Sequence, residues 1–329
     1  MPIPILIDCD PGHDDAIAIL LALASREVEL RGVTTVAGNQ TLEKTTRNAL
    51  KVLELAGRTD VPVAAGADRP LERTLRTAAN VHGESGLDGP ELPEPTTRPV
   101  DADAVELLAE LIEAEAGSGA GEAGTARPED RAHEAPGGVV LVATGPLTNV
   151  ATLLRRHPDV RDRLDRIVWM GGAIAEGNVT PAAEFNAFVD PEAAAQVFGS
   201  GIDITMIGLD VTHRALFTPA HAERLRGAGR CGQAVAELAD FFLGFHRRRY
   251  RFDGAPIHDA MAVAHVIDPT LVETLRCNVE IETASQHCDG RTVVDRWQVL
   301  DAPRNADVGI DVDANRFLEL LVERIASLP

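Results

Sequence analysis

Apolar, β-branched runs alternate with helix-patterned segments from the first residues of the chain onward. Residues 3–7, 30–36, 61–64, 139–142, 167–170 and 202–209 are short, nearly continuous apolar stretches, the pattern of strands buried on both faces. Between them, 15–24, 42–56, 104–114, 147–156 and 192–198 space their apolar residues at helical intervals. This alternation predicts an α/β fold of Rossmann-like type, with a mostly parallel central sheet flanked by helices in a single domain over 1–329. From about 117 to 138 the composition shifts to Gly, Ala, Glu and Pro without apolar periodicity. That segment reads as a flexible surface insertion, because the strand-helix alternation resumes unchanged beyond it. The last third predicts helices at 234–247, 258–266 and 314–325 and a strand at 279–283.

Composition narrows the partners. With 51 acidic against 31 basic residues the net charge is -20, which repels nucleic-acid backbones and anionic membranes, so neither is expected as a partner. The same field favours cations and is indifferent to a neutral small molecule. The longest purely apolar run, 16–24, falls short of the roughly 20 residues a membrane span requires. No basic leader precedes the first apolar run. Cys9, Cys231, Cys277 and Cys288 form no paired or zinc-like spacing, which suits a reducing, cytoplasmic setting.

The segment ILIDCDPGHDDAIA, residues 5–18, is where chemistry first concentrates. A strand ends in Asp8 and Asp10, Pro11 and Gly12 turn the chain, and Asp14 and Asp15 open a helix. Asp14 and Asp15 as mere complements of a helix dipole would explain one pair and not both. Like charges so crowded destabilise a fold unless a cation neutralises them, so the cluster reads as a hard-metal site with oxygen ligands. A strand ending in Asp-x-Asp also suits a phosphatase forming an aspartyl phosphate. Against that reading, neither the cluster nor the other strand ends offer a Lys or Arg for a phosphoryl group, and no P-loop is present. Gly38-Asn39, Thr144-Gly145, Gly171-Gly172 and Asp210 fall at successive strand ends, around the rim where such sheets bind ligands. Asn178, Glu184 and Asn186 sit in an irregular segment and could equally be loop polars; His258 and Asp259 open a helix, where a helix cap is the plainer role.

Taken in order, DCDPGHDDA, VAGNQT, VATGPLTN, WMGG, AEFN and IHDAMA resemble the motifs of inosine-uridine preferring nucleoside hydrolases, and the likeness runs nearly the whole chain. The resemblance implies calcium bound by Asp10, Asp15, the Thr144 carbonyl and Asp259. It implies ribose contacts from Asp14, Asn39, Asn178, Glu184 and Asn186, with Met170 packing nearby and His82 on the base side. It places His246 and Tyr250, in FLGFHRRRY, near the positions that set base preference; Tyr250 would stack on the base or simply pack. It also implies an apolar residue where His13 stands and a proline where Ala260 stands. A homodimer or homotetramer is expected. Breaking an N-ribosidic bond passes through an oxocarbenium-like ribosyl cation, which favours a site rich in carboxylates and poor in Lys and Arg. Asp10 is the candidate general base for the attacking water. His258 is the candidate to protonate or hydrogen-bond the leaving base, its pKa expected near the working pH. The absence of tandem tryptophans, Trp169 and Trp297 being isolated, leans toward pyrimidine or mixed inosine-uridine substrates. A calcium- or sugar-binding protein without turnover is the alternative from another class.

Overall fold

The computed structural model describes residues 1–117 and 138–329; the segment read as an insertion lies, but for its end residues, outside the described residues. The elements run β1 (Ile3–Cys9), α1 (His13–Ala24), β2 (Val28–Thr35), α2 (Leu42–Leu55), β3 (Val63–Ala65), α3 (Ala79–His82) and α4 (Ala104–Gly117). They continue with β4 (Val139–Ala143), α5 (Thr148–Arg156), β5 (Leu164–Met170), α6 (Phe185–Val189), α7 (Pro191–Phe198), β6 (Ile204–Ile207), α8 (Leu209–Thr212), β7 (Leu216–Phe217), α9 (Pro219–Leu225) and α10 (Gly229–Tyr250). The chain finishes with β8 (Ala255–Pro256), α11 (His258–Ile267), β9 (Val272–Ile281), β10 (Thr292–Asp295), β11 (Ala306–Val312) and α12 (Ala314–Ala326).

Nine of these strands make one sheet in the order β10-β9-β11-β6-β5-β4-β1-β2-β3. All pairings from β3 across to β11 are parallel, and β9 is antiparallel to both β11 and β10 at the far edge. Alternate residues of β1 explain why its sequence is apolar throughout. Ile5 and Ile7 enter a core shared with α1, α2, α10, α11 and α12, whereas Leu6 enters a second core with α4, α5 and α7 on the opposite face. Trp169 fills that second core completely buried, edge-on to Phe198.

β1 is also where the strand order reverses, the chain stepping to β2 and β3 on one side and later to β4, β5 and β6 on the other. Crossovers that diverge there leave a crevice beyond the carboxyl ends of β1 and β4. Asp10 follows β1 and Thr144 follows β4, and the Thr144 N–H donates to the Asp8 carbonyl at 2.8 Å. The helix that leaves this crevice, α1, is buried at every residue from 13 to 22 and packs against α11, which brings Asp259 to the same place.

The expected single α/β domain with a parallel-dominated sheet is what the structure shows, with local differences. The strand expected over 202–209 ends at Ile207, because Gly208 caps α8 and Asp210 lies within that helix. The C-terminal strand is longer than 279–283 and begins at Val272, and β11, a half-exposed strand lacking a continuous apolar run, was not anticipated. Among the described residues no helix is long and apolar enough to cross a membrane.

Candidate active site

One carboxylate oxygen from each of Asp14, Asp15 and Asp259 lies within 4.8 Å of the others, at the floor of the crevice. The backbone around Gly12 makes this possible. Gly12 N–H donates to Asp15 Oδ2 at 3.0 Å, fixing the first turn of α1, and a Cβ at Gly12 would come within 2.5 Å of the His82 ring, so a side chain there would have to displace that ring. Asp15 Oδ1 accepts from the Thr144 hydroxyl at 2.8 Å and from the Asp10 N–H at 3.3 Å. Asn39 ties the group together: its N–H donates to Asp10 Oδ2 at 2.6 Å and its Nδ2 to Asp15 Oδ2 at 3.2 Å.

The electrostatics follow from crowding in a dry place. Burial, with the neighbouring Asp15 charge, pushes the Asp14 carboxyl up to about 8. Burial, then Asp15, holds Asp10 well above the usual carboxylate range; burial, then Asp14 and Asp15, does the same for Asp259. Such a group is stabilised by a cation. The donor set fits a hard divalent ion: every candidate ligand is an oxygen, and Asp10 Oδ1 is buried with no hydrogen-bond partner. Of the expected ligands, Asp15 and Asp259 converge directly, and Asp10 and Thr144 adjoin them through the bonds above. Asp14, expected on the sugar, stands within the same carboxylate group. Asp8 turns away, accepting from Thr34 Oγ1 at 2.6 Å and Asn149 Nδ2 at 2.8 Å, with burial raising it to about 6.

Above this floor opens a cavity of about 410 Å³, within the usual range of small-molecule sites, ~300–1,000 Å³. Asp14, Asn39, His82, Thr144, Met170, Asn178, Glu184, Asn186, Tyr250, His258 and Asp259 all line it. Asn186 Nδ2 is committed to the Thr144 and Met170 carbonyls, at 2.8 and 2.9 Å, which leaves its Oδ1 for a ligand. Glu184 caps α6 through the Asn186 and Ala187 N–H groups and accepts from Gly172 N–H at 2.8 Å; burial raises it to about 7. Asn178 Oδ1 is buried without a partner.

The mouth is built differently, from rings. Phe242, Phe245, His246 and Tyr250 come from the C-terminal half of α10, His82 from the short α3, and His213 from the end of α8. His246 lies edge-on to Phe242 at 4.3 Å and donates from Nδ1 to the Phe242 carbonyl at 3.0 Å. Tyr250 is half-buried, tilted over His246 at 5.7 Å and stacked on Phe252 at 5.4 Å. Among the described lining residues the one cation is Arg249, exposed at the end of α10 with its guanidinium over the Tyr250 ring.

Two expectations change. His258 does not titrate near neutral pH: burial, with His213, His246 and His82 nearby, pushes it well below its ordinary value, so it is a neutral ring whose Nδ1 meets Thr212 Oγ1 at 2.8 Å. Asp210 follows the end of β6 but does not line the cavity; its carboxylate accepts from the Ile174 and Ala175 N–H groups at 2.5 and 3.1 Å and shapes the loop after β5. Ala260, where the resemblance implies a proline, is fully buried in the first turn of α11, which starts at His258. His213, Phe242 and Phe245 were missed as lining residues, since aromatics on an amphipathic helix read as core and a lone histidine after a strand carries no pattern.

Comparison with known proteins bears on what this cavity does. Residues 5–319 match the family model described as inosine-uridine preferring nucleoside hydrolase. The chain is 51% identical, over 98% of its length and 99% of the relative's, to a protein of Photobacterium profundum named pyrimidine-specific ribonucleoside hydrolase RihA. It is 49% identical to the protein of that name from Klebsiella pneumoniae, with 99% of both chains covered. Among solved structures it is similar to a purine-preferring ribonucleoside hydrolase from Gardnerella vaginalis, with a TM-score of 0.87, 32% identity and 98% of both chains covered.

Proposed function

The chain belongs to the inosine-uridine preferring nucleoside hydrolase family, and we propose on that basis that it cleaves the N-glycosidic bond of pyrimidine ribonucleosides, giving ribose and free base, with calcium at the carboxylate floor. The observation that carries the reading is the convergence of Asp14, Asp15 and Asp259 beneath a cavity whose floor is lined by oxygen donors. Calcium when bound would take up oxygen ligands from Asp10, Asp15, Thr144 and Asp259 and align the sugar hydroxyls with the attacking water.

The chain's own residues supply the rest. Asp10 has one oxygen committed to the Asn39 N–H and the other unpartnered, which suits it to receive the proton of the attacking water. Asp14, Asn39, Asn178 Oδ1 and Asn186 Oδ1 hold the ribose, and the Glu184 carboxylate stabilises the developing ribosyl cation. Met170 packs against the sugar. His258, neutral and held by Thr212, hydrogen-bonds the departing base, while His82 and Tyr250 face its ring. The pyrimidine choice rests on the higher identity to proteins named pyrimidine-specific than to the purine-preferring structure. A homodimer or homotetramer in the cytoplasm suits the family reading and the free thiols.

Reducing-sugar release from uridine, cytidine, inosine and adenosine, with and without a chelator, tests the proposal. Uridine and cytidine are expected to turn over fastest, the chelator to stop turnover, and added calcium to restore it. Reducing sugar never appearing from any of the four would remove the hydrolase reading.

A further inference from the structure

The end of the sheet at β10 carries side chains that the active site does not use. Among the described residues eight large hydrophobic side chains are exposed, and four of them, Val293, Trp297, Val299 and Leu300, belong to β10 and the loop after it. Trp297 is 86% exposed, whereas Trp169, the other tryptophan, is fully buried. Single exposed apolar side chains need no cause, but a cluster anchored by tryptophan is the composition of a binding surface.

The loop holds these side chains outward. Asp295 accepts from the Val299 N–H at 2.9 Å and from the Leu300 N–H at 2.7 Å, and Arg304 Nη2 donates to Gln298 Oε1 at 2.6 Å. Gln298 is left-handed, at φ 54°, a backbone state that residues other than glycine adopt at a cost. Beside it lies a second cavity, of about 350 Å³, whose wall includes Asp295, Gln298, Val299, Leu300, Asp301 and Arg304. Trp297 is not part of that wall, so the projecting indole leaves the hollow next to it unfilled.

Charge indicates what covers the face. A net charge of -20 opposes contact between copies of the chain. Residues 291–304, however, hold Arg291, Arg296 and Arg304 against Asp295 and Asp301, and Glu280, which pairs with Val293, brings the local balance to zero. Two copies can meet here without that repulsion, and a polyanion gains no hold. Each copy also offers both a projection and a hollow, the self-complementarity that a two-fold interface requires. The indole N–H is a donor only, and the hollow sets the Asp295 and Asp301 carboxylates in its wall.

We infer that the face formed by Val293, Trp297, Val299 and Leu300 is where a second copy of this chain docks about a two-fold axis, Trp297 of each copy entering the cavity beside Gln298 of the other. A standard interface buries about 800 Å² on each partner, more than four side chains supply, so these are its centre and the part-exposed residues of β9 its rim. The inference gives a location to the association expected above, and it does not depend on hydrolysis, since none of these four residues lines the active-site cavity.

Sedimentation velocity of the full chain across a dilution series reads the assembly. The wild type is expected as a dimer or a larger even assembly. Trp297→Ala should raise the dissociation constant about 30-fold or more, as for an interface hot spot, and Leu300→Asp should halve the mass. Val100→Asp, which adds the same charge at an exposed position away from the cluster, should leave the mass unchanged. Acrylamide quenching of the wild type needs no variant: Trp297 should be quenched in dilute solution and shielded as the mass rises, while buried Trp169 stays shielded throughout. A wild type monomeric at every concentration, an assembly that survives both Trp297→Ala and Leu300→Asp, one dissociated as readily by Val100→Asp, or a Trp297 quenched equally before and after assembly would overturn the inference. Reducing-sugar release by the same samples is read separately: its absence would remove the hydrolase reading and leave the docking face standing.

Discussion

The floor and the mouth of the cavity are held by different physics. At the floor, Asp15 accepts from two backbone N–H groups, a hydroxyl and a carboxamide, so its oxygens have almost no freedom left. At the mouth, Tyr250, His246, Phe245 and His213 meet as rings at centroid distances between 5.3 and 6.1 Å, contacts that tolerate tilting and sliding. Bond breaking occurs at the sugar, where misplacement is costly, and the part of the substrate that varies is met by surfaces that adapt.

If that division is right, substitutions should fall in a graded order. Asp10→Asn is expected to lower kcat by about 10³-fold, within the range for losing a general base, with nucleoside binding still measurable by calorimetry. A rate near wild type would take Asp10 out of the proton transfer. Asn39→Ala removes the Nδ2 bond to Asp15 while the backbone bond to Asp10 remains, and should weaken calcium binding by about 10- to 100-fold in a chelator competition titration. Tyr250→Ala should raise KM for uridine by about two- to ten-fold and move kcat little, as befits a stacking ring; a kcat collapse equal to that of Asp10→Asn would erase the distinction between floor and mouth. Asp8→Asn should change turnover least, because Asp8 faces Thr34 and Asn149 and its Oδ2 meets no partner. Its effect belongs to stability against pH. Burial raises Asp8 to about 6 in the folded protein, so its favourable contribution is complete below the ordinary carboxylate value and is lost as pH rises through about 6. The asparagine variant should show a flatter melting-temperature profile between about pH 4 and 7, with a difference of at most about 3 kcal/mol.

The same division explains what the sequence discloses. Asp10, Asp14 and Asp15 are legible because a strand, a turn and a helix start compress them into six residues, so proximity in sequence is proximity in space. By residue pattern alone Asp259 reads as a helix-opening residue, and only the family resemblance assigns it to the metal; its meeting with Asp14 and Asp15 depends on α11 packing against α1, which no local pattern encodes. Likewise the sheet is readable from β1 to β6, whose strands are largely apolar, and fades at β11, β9 and β10, which are part-exposed and joined by the sheet's antiparallel pairings. Asp210 misleads for a related reason: a polar residue after an apolar run marks a strand end, and cannot say whether it turns to the ligand or to a loop N–H. The contact between the His13 and His82 rings spans 69 positions and leaves no signature in the residue order.

Ten consecutive residues of α1 are enclosed by the interior, and Asp14 and Asp15 among them reach the substrate crevice. The reactive centre thus borrows its stiffness from the hydrophobic framework and has no hinge of its own. The rings around the opening, by contrast, sit on the far half of α10, on α3 and just past α8, and Phe245 and Tyr250 among them are only half-buried. New tastes in nucleobase can therefore be acquired by rewriting that outer collar while the inherited engine beneath it stays untouched.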